Sequence, residues 1–84
     1  MQLTRADGKK IRARREAADL TVDELVAKLA KREKMQRHPD TIRNIELGHA
    51  QPGFKLLNAI ARVLQVPREE LLAKDEGESK RESA

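Results

Sequence analysis

The sequence predicts an all-α fold, a compact bundle of five short helices. Three observations carry this. Apolar residues recur at three- and four-residue spacing instead of alternating. β-Branched and aromatic residues are sparse, with Phe54 the single aromatic, so no strand pattern persists. Helix start and stop signals punctuate the chain: a T-x-x-E box at Thr21, Pro39, Gly48 and Pro67. The 84 residues suffice for one small domain, placed at residues 1–74. Residues 75–84, DEGESKRESA, hold no apolar side chain except the last alanine and are expected to form a disordered polar tail.

The first segment covers about residues 7–18, with Ile11, Arg15 and Ala18 on its inward stripe. The second starts at Thr21, where Thr21 and Glu24 each satisfy a backbone donor of the other. Val22, Leu25, Val26 and Leu29 form its apolar face. The third starts near Pro39, where proline is tolerated because the first turn needs no amide. Asp40 there suits the positive end of the helix. The segment closes at Gly48, which readily takes the left-handed C-cap conformation. The fourth covers about residues 53–64, with Leu57, Ile60, Ala61 and Leu64 inward. The fifth opens at Pro67, has Glu69 and Glu70 in its first turn, and buries Leu71 and Leu72.

Two charges break the pattern. Arg15 stands on the inward stripe of the first helix. Glu46 shares the third helix's stripe with Ile42 and Ile45. A lone buried charge is very costly, so each needs a partner. Either the two pair, bidentately, and tie the first helix to the third, or both lie at the core's edge and reach water along their stems. The ion pair is expected, with a structural role.

Composition restricts the function. The chain has no cysteine, which excludes disulfides, zinc–thiolate sites and a cysteine nucleophile. No apolar run approaches the ~20 residues of a membrane span, and no hydrophobic signal core opens the chain, so a cytoplasmic location is expected. No nucleophile–base constellation or phosphate-binding glycine loop is present, so an enzyme is not expected. His38 and His49 lack a third partner for a metal, and no cofactor or small-molecule substrate is indicated. Formal charge is +4. Residues 1–18 carry six basic and two acidic side chains, and residues 28–37 carry five and one. Two basic blocks on one small domain suggest a polyanionic partner. The lack of stacking aromatics disfavours single-stranded RNA.

Three stretches, GKKIRARREAADLTVDELVAKLA, TIRNIELGHAQP and LLNAIARVLQVPREELL, in this order, resemble the lambda-repressor-like helix-turn-helix family. This is the Cro-type or XRE class of prokaryotic and phage DNA-binding regulators. The resemblance covers roughly residues 7–73. It implies that helices two and three form the helix-turn-helix, with the third, about residues 39–47, as recognition helix in the major groove. It also implies that Arg15 and Glu46 are the family's buried ion pair.

Carried over position by position, the resemblance assigns base reading to His38, Pro39, Asp40, Arg43 and Asn44. Arg43 suits guanine O6 and N7, or a phosphate. Asn44 suits adenine, and Asp40 suits cytosine N4. Asp40 reads more readily as an ordinary acid at a helix N-terminus. Phosphate contacts fall to Thr21, Lys28, Arg37, His49, Gln51, Gly53 and Lys55, partly because helix N-termini offer free amides. One departure stands out. Residues 30–37, AKREKMQR, make the connection between helices two and three about six residues longer than the family's usual turn. The extra residues either prolong helix two into solvent or form an exposed loop, with Met35 folding back. Their basic side chains either touch DNA, are merely solvated, or obstruct docking.

The function expected is a sequence-specific regulator of transcription that binds double-stranded DNA. The alternative is a protein-interaction module, such as an antitoxin or adaptor, on the same scaffold. The resemblance suggests a homodimer on an inverted repeat. Leu3, Phe54, Leu56 and the surface of the fifth helix are the candidate dimer faces.

Overall fold

The computed structural model describes residues 5–73. Leu3 and the tail at 75–84 lie outside the described residues. Four α-helices follow one another: α1 Gly8–Ala17, α2 Val22–Glu33, α3 Pro39–Leu47 and α4 Phe54–Leu64. The fifth expected helix is a single 3-10 turn, Arg68–Leu71. It stops there because the chain pairs with the N-terminal segment. Ala6 and Leu72 form an isolated antiparallel bridge, the Asp7 amide donates to the Leu71 carbonyl at 2.8 Å, and the Ala73 amide donates to Arg5 at 2.8 Å. Leu71 is fully buried, and Leu72 only half.

Local signals explain the helix ends. The Asp7 carboxylate accepts from the Lys9 amide at 3.0 Å and starts α1. Thr21 and Glu24 close a reciprocal capping box on α2, at 3.1 and 2.8 Å. Pro39 opens α3, and Gly48 ends it at φ 85°. A β-carbon at Gly48 would meet nothing within 4 Å, so the conformation alone calls for glycine. Gly48→Ala should therefore cost about 1 kcal/mol and lower the melting temperature by roughly 4–8 °C. An unchanged thermal transition would refute this.

The core is drawn from every helix. Ile11, Leu25, Leu29, Ile42, Ile60 and Leu71 are fully buried. Val22 and Val26 pack against them half-buried. α4 lies deepest. Besides Leu57, Ile60, Ala61 and Leu64 it buries Leu56, Ala59 and Val63, a wider arc than a single stripe. Leu56 is thus a core residue and not a free dimer face. Ala18, expected inward, caps α1 and is exposed, because the helix ends at Ala17.

Residues 30–37 do two things at once. α2 continues one turn beyond Leu29 to Glu33. Lys34 then caps it in the left-handed conformation, φ 58°. Met35 folds back, with its amide on the Leu29 carbonyl at 3.1 Å and its side chain against the core. The prolonged turn is not adrift in solvent. Arg62 of α4 donates to the Glu33 carboxylate from Nε at 2.9 Å and stands 2.8 Å away at NH2. That guanidinium holds the Glu33 carboxyl below the usual carboxylate range.

Candidate nucleic-acid interface

The orientation of α3 is set by its inner face. Arg15 donates from Nε to Glu46 Oε2 at 2.7 Å and from NH2 to Oε1 at 3.0 Å, a bidentate fork. Its remaining terminal nitrogen donates to the Leu20 carbonyl at 2.8 Å. Both side chains are nearly sealed, 11% and 6% exposed. The hydrogen bond to Glu46 holds the Arg15 guanidinium above its ordinary pKa, against the opposing effect of burial. Ile42 and Ile45 fill the same face of α3 and are buried. These contacts together set which face α3 turns outward.

Its outer face is open. His38, Asp40, Arg43 and Asn44 are exposed, and Pro39 is half-buried. His38 precedes the helix, and its Nδ1 accepts from the Asp40 amide at 3.1 Å. One turn on, Arg43 NH1 donates to Asp40 Oδ1 at 2.9 Å. The second Asp40 oxygen stands 3.7 Å from His38 Nδ1. The acid at the start of α3 is thus matched by a cation on its own helix.

The expected phosphate contacts divide into groups. Arg37 lines a shallow groove with Thr41, Gly53, Phe54 and Lys55, where the starts of α3 and α4 meet. Gly53 precedes α4 without a side-chain cap, so among the described residues no side chain satisfies the first amides of that helix. Lys55 is exposed on its first turn. Thr21 is exposed at the start of α2, with its hydroxyl accepting from Glu24. Lys28 is half-buried one helical stretch further, and lines a second shallow depression with Leu20, Glu24, Ala27 and Lys31. His49 is exposed just after Gly48, with its amide on the Asn44 carbonyl at 2.9 Å. Gln51 has another task. Its Oε1 accepts from the Ala6 amide at 3.0 Å and its Nε2 donates to the Ala6 carbonyl at 3.3 Å. Its side chain stitches the N-terminal segment to the α3–α4 connection.

Gly8 gives no local sign of importance. A β-carbon there would stand 2.5 Å from the Glu46 carbonyl oxygen and closer still to that of Ile45. The first turn of α1 rests directly on the backbone of α3, which only glycine allows. The partner lies far along the chain, so no motif or period points to it. Among the described residues no group of three His, Asp or Glu side chains is placed to hold a metal. No described helix is long and apolar enough to cross a membrane.

Two helices joined by residues 34–38, the second pinned on its inner face and open on its outer one, define a helix-turn-helix module. A family model described as a helix-turn-helix domain matches residues 8–73, and the chain belongs to that family. The match agrees with the lambda-repressor-like resemblance and points to DNA as the partner. No curated protein and no solved structure matches the chain.

Proposed function

We propose that the protein is a sequence-specific regulator of transcription that binds double-stranded DNA. α3 enters the major groove with its N-terminal end toward the base edges. The observation that carries this reading is the division of α3: Ile42, Ile45 and Glu46 hold it from inside, while His38, Asp40, Arg43 and Asn44 face solvent. Arg43 and Asn44 read bases, and Pro39 sets the start of the reading helix. Phosphates on either side are met by Thr21 and Lys28 of α2 and by Arg37, His49, Gly53 and Lys55. Gln51 contributes through its backbone, because its amide is engaged by Ala6. The regulator acts in the cytoplasm as a homodimer on an inverted repeat, without a cofactor.

Selection of bound sequences from a random pool of duplex DNA tests this, followed by titration against salt. Enrichment of a motif is expected, with affinity falling steeply as salt rises. Arg43→Ala should cost about 1–3 kcal/mol on the selected site and leave the fold intact. Lys55→Ala should weaken binding to all sequences alike and lower the salt slope by about one. Binding without a motif would overturn sequence reading.

A protein-interaction role, as in an antitoxin or adaptor, is favoured by one observation. Leu47 and Phe54 are large apolar side chains left 64% and 68% exposed. Charge reversal at Arg43 and Lys55 separates the readings: DNA binding collapses, whereas a protein partner held on Leu47 or Phe54 stays bound.

A further inference from the structure

We propose that Asp40 is a positioning residue that holds Arg43 for guanine; the assignment rests on α3 being the reading helix. A carboxylate at the tip of such a helix faces phosphates, and alone it would repel DNA. Here it is not alone. Arg43 NH1 donates to Asp40 Oδ1 at 2.9 Å, one turn along the same helix. The Asp40 backbone is itself fixed, since Pro39 sets the preceding φ and His38 Nδ1 accepts the Asp40 amide proton at 3.1 Å. The carboxylate is therefore carried on a fixed backbone position, and the guanidinium leans on it.

The consequence follows from donor arithmetic. A guanidinium has five N–H groups in a planar fork. With NH1 held by Asp40, the edge formed by Nε and NH2 is free; neither atom has a protein acceptor among the hydrogen bonds of the described residues. That edge offers two parallel donors. Guanine presents two acceptors, O6 and N7, in the major groove, whereas adenine presents N7 beside a donor amino group. An arginine free to swing trades between guanine and nearby phosphates. An arginine braced at one end loses less rotational freedom on binding guanine, and it is kept from the phosphate. Asp40 thus raises selectivity for one base while adding little to affinity.

Random-pool selection with the parent protein, Asp40→Ala, Asp40→Asn and Arg43→Ala provides the test. Asparagine keeps an oxygen that accepts from Arg43 but removes the charge; alanine removes both. In the parent motif, one position should demand guanine, by roughly tenfold or more over adenine. Arg43→Ala abolishes that demand, Asp40→Ala lowers it at least about threefold, and Asp40→Asn retains most of it. Both Asp40 variants should bind random duplex somewhat more tightly, because a negative charge is gone. The split between alanine and asparagine is a readout that general damage to the fold would not produce. Guanine demand unchanged in Asp40→Ala overturns the proposal while leaving the regulator reading intact. So does loss of a cytosine preference at a neighbouring position, which would make Asp40 a reader itself. A parent protein that selects no motif overturns the regulator reading and this assignment together.

Discussion

Glu46→Ala should lower the stability of the domain by about 3 kcal/mol, toward the lower end of the ~3–5 kcal/mol that breaking a buried pair costs. Arg15 would lose both arms of its fork, at 2.7 and 3.0 Å, in a site that leaves its side chain 11% exposed. The remaining bond to the Leu20 carbonyl at 2.8 Å and the small exposed edge soften the loss. A chain of this size has a total stability on the order of 5–10 kcal/mol, so the variant loses roughly a third to three-fifths of it. Its thermal midpoint should fall by roughly 12–24 °C. The effect lies in the orphaned charge more than in the pair itself. Replacing both partners together, Arg15→Met with Glu46→Leu, should recover most of the stability, since well-packed apolar pairs often match buried ion pairs. A midpoint for Glu46→Ala within two degrees of the parent, measured by circular dichroism, would show the pair to be irrelevant. A double variant no better than the single would show that the fork supplies stability no packing replaces.

The same pair shows why part of this molecule could be read from its sequence. Arg15 and Glu46 each stand on an apolar stripe, and a charge there demands a partner wherever the helices lie. The capping box at Thr21, the proline at α3's start and the glycine at its end are equally local. Each acts through its own backbone, so periodicity and caps locate the four helices. What escaped the sequence depends on residues distant along the chain. The turn Arg68–Leu71 has the composition of a helix start, but its extension is cut short by pairing with Ala6 and Asp7. Gln51 resembles a polar loop residue until Ala6 is placed against it. Glu33 resembles a solvated helix end until α4 brings Arg62 to it. α4 shows one apolar stripe by spacing, yet its place at the centre buries Leu56, Ala59 and Val63 as well. On the outer face of α3 the residue types were legible, whereas the brace between Asp40 and Arg43 needed a rotamer, which no pattern supplies.

Gly8→Ala is the second large effect, and it comes from a single added methyl group. The new β-carbon would lie 2.5 Å from the Glu46 carbonyl oxygen and 2.8 Å from its carbonyl carbon, with the Ile45 oxygen nearer still. All three are backbone atoms of α3, and none can swing aside as a flexible side chain would. One of the helices must therefore move by several tenths of an ångström or more. Overpacking of this kind costs about 1–3 kcal/mol, and backbone-on-backbone crowding belongs at the upper end. Alanine's better helix propensity returns under about 1 kcal/mol at most, and less in a first turn. A net loss of about 2 kcal/mol is expected, seen as a lower urea midpoint with an unchanged slope. Gly53→Ser is the matched control: nothing stands within 4 Å of a β-carbon there, and serine caps a helix at least as well as glycine. It should leave the midpoint unchanged or slightly raised. Gly8→Ala has a second consequence because Glu46 belongs to the backbone that is pushed. The displacement tilts α3 while its outer side chains stay chemically intact. Discrimination between the selected site and random duplex should then fall, whereas the salt slope, set by surface cations, stays the same. A Gly8→Ala protein with the parent's midpoint and the parent's discrimination would mean that α1 and α3 have slack at their contact beside Gly8, and that this contact does not set the tilt of α3.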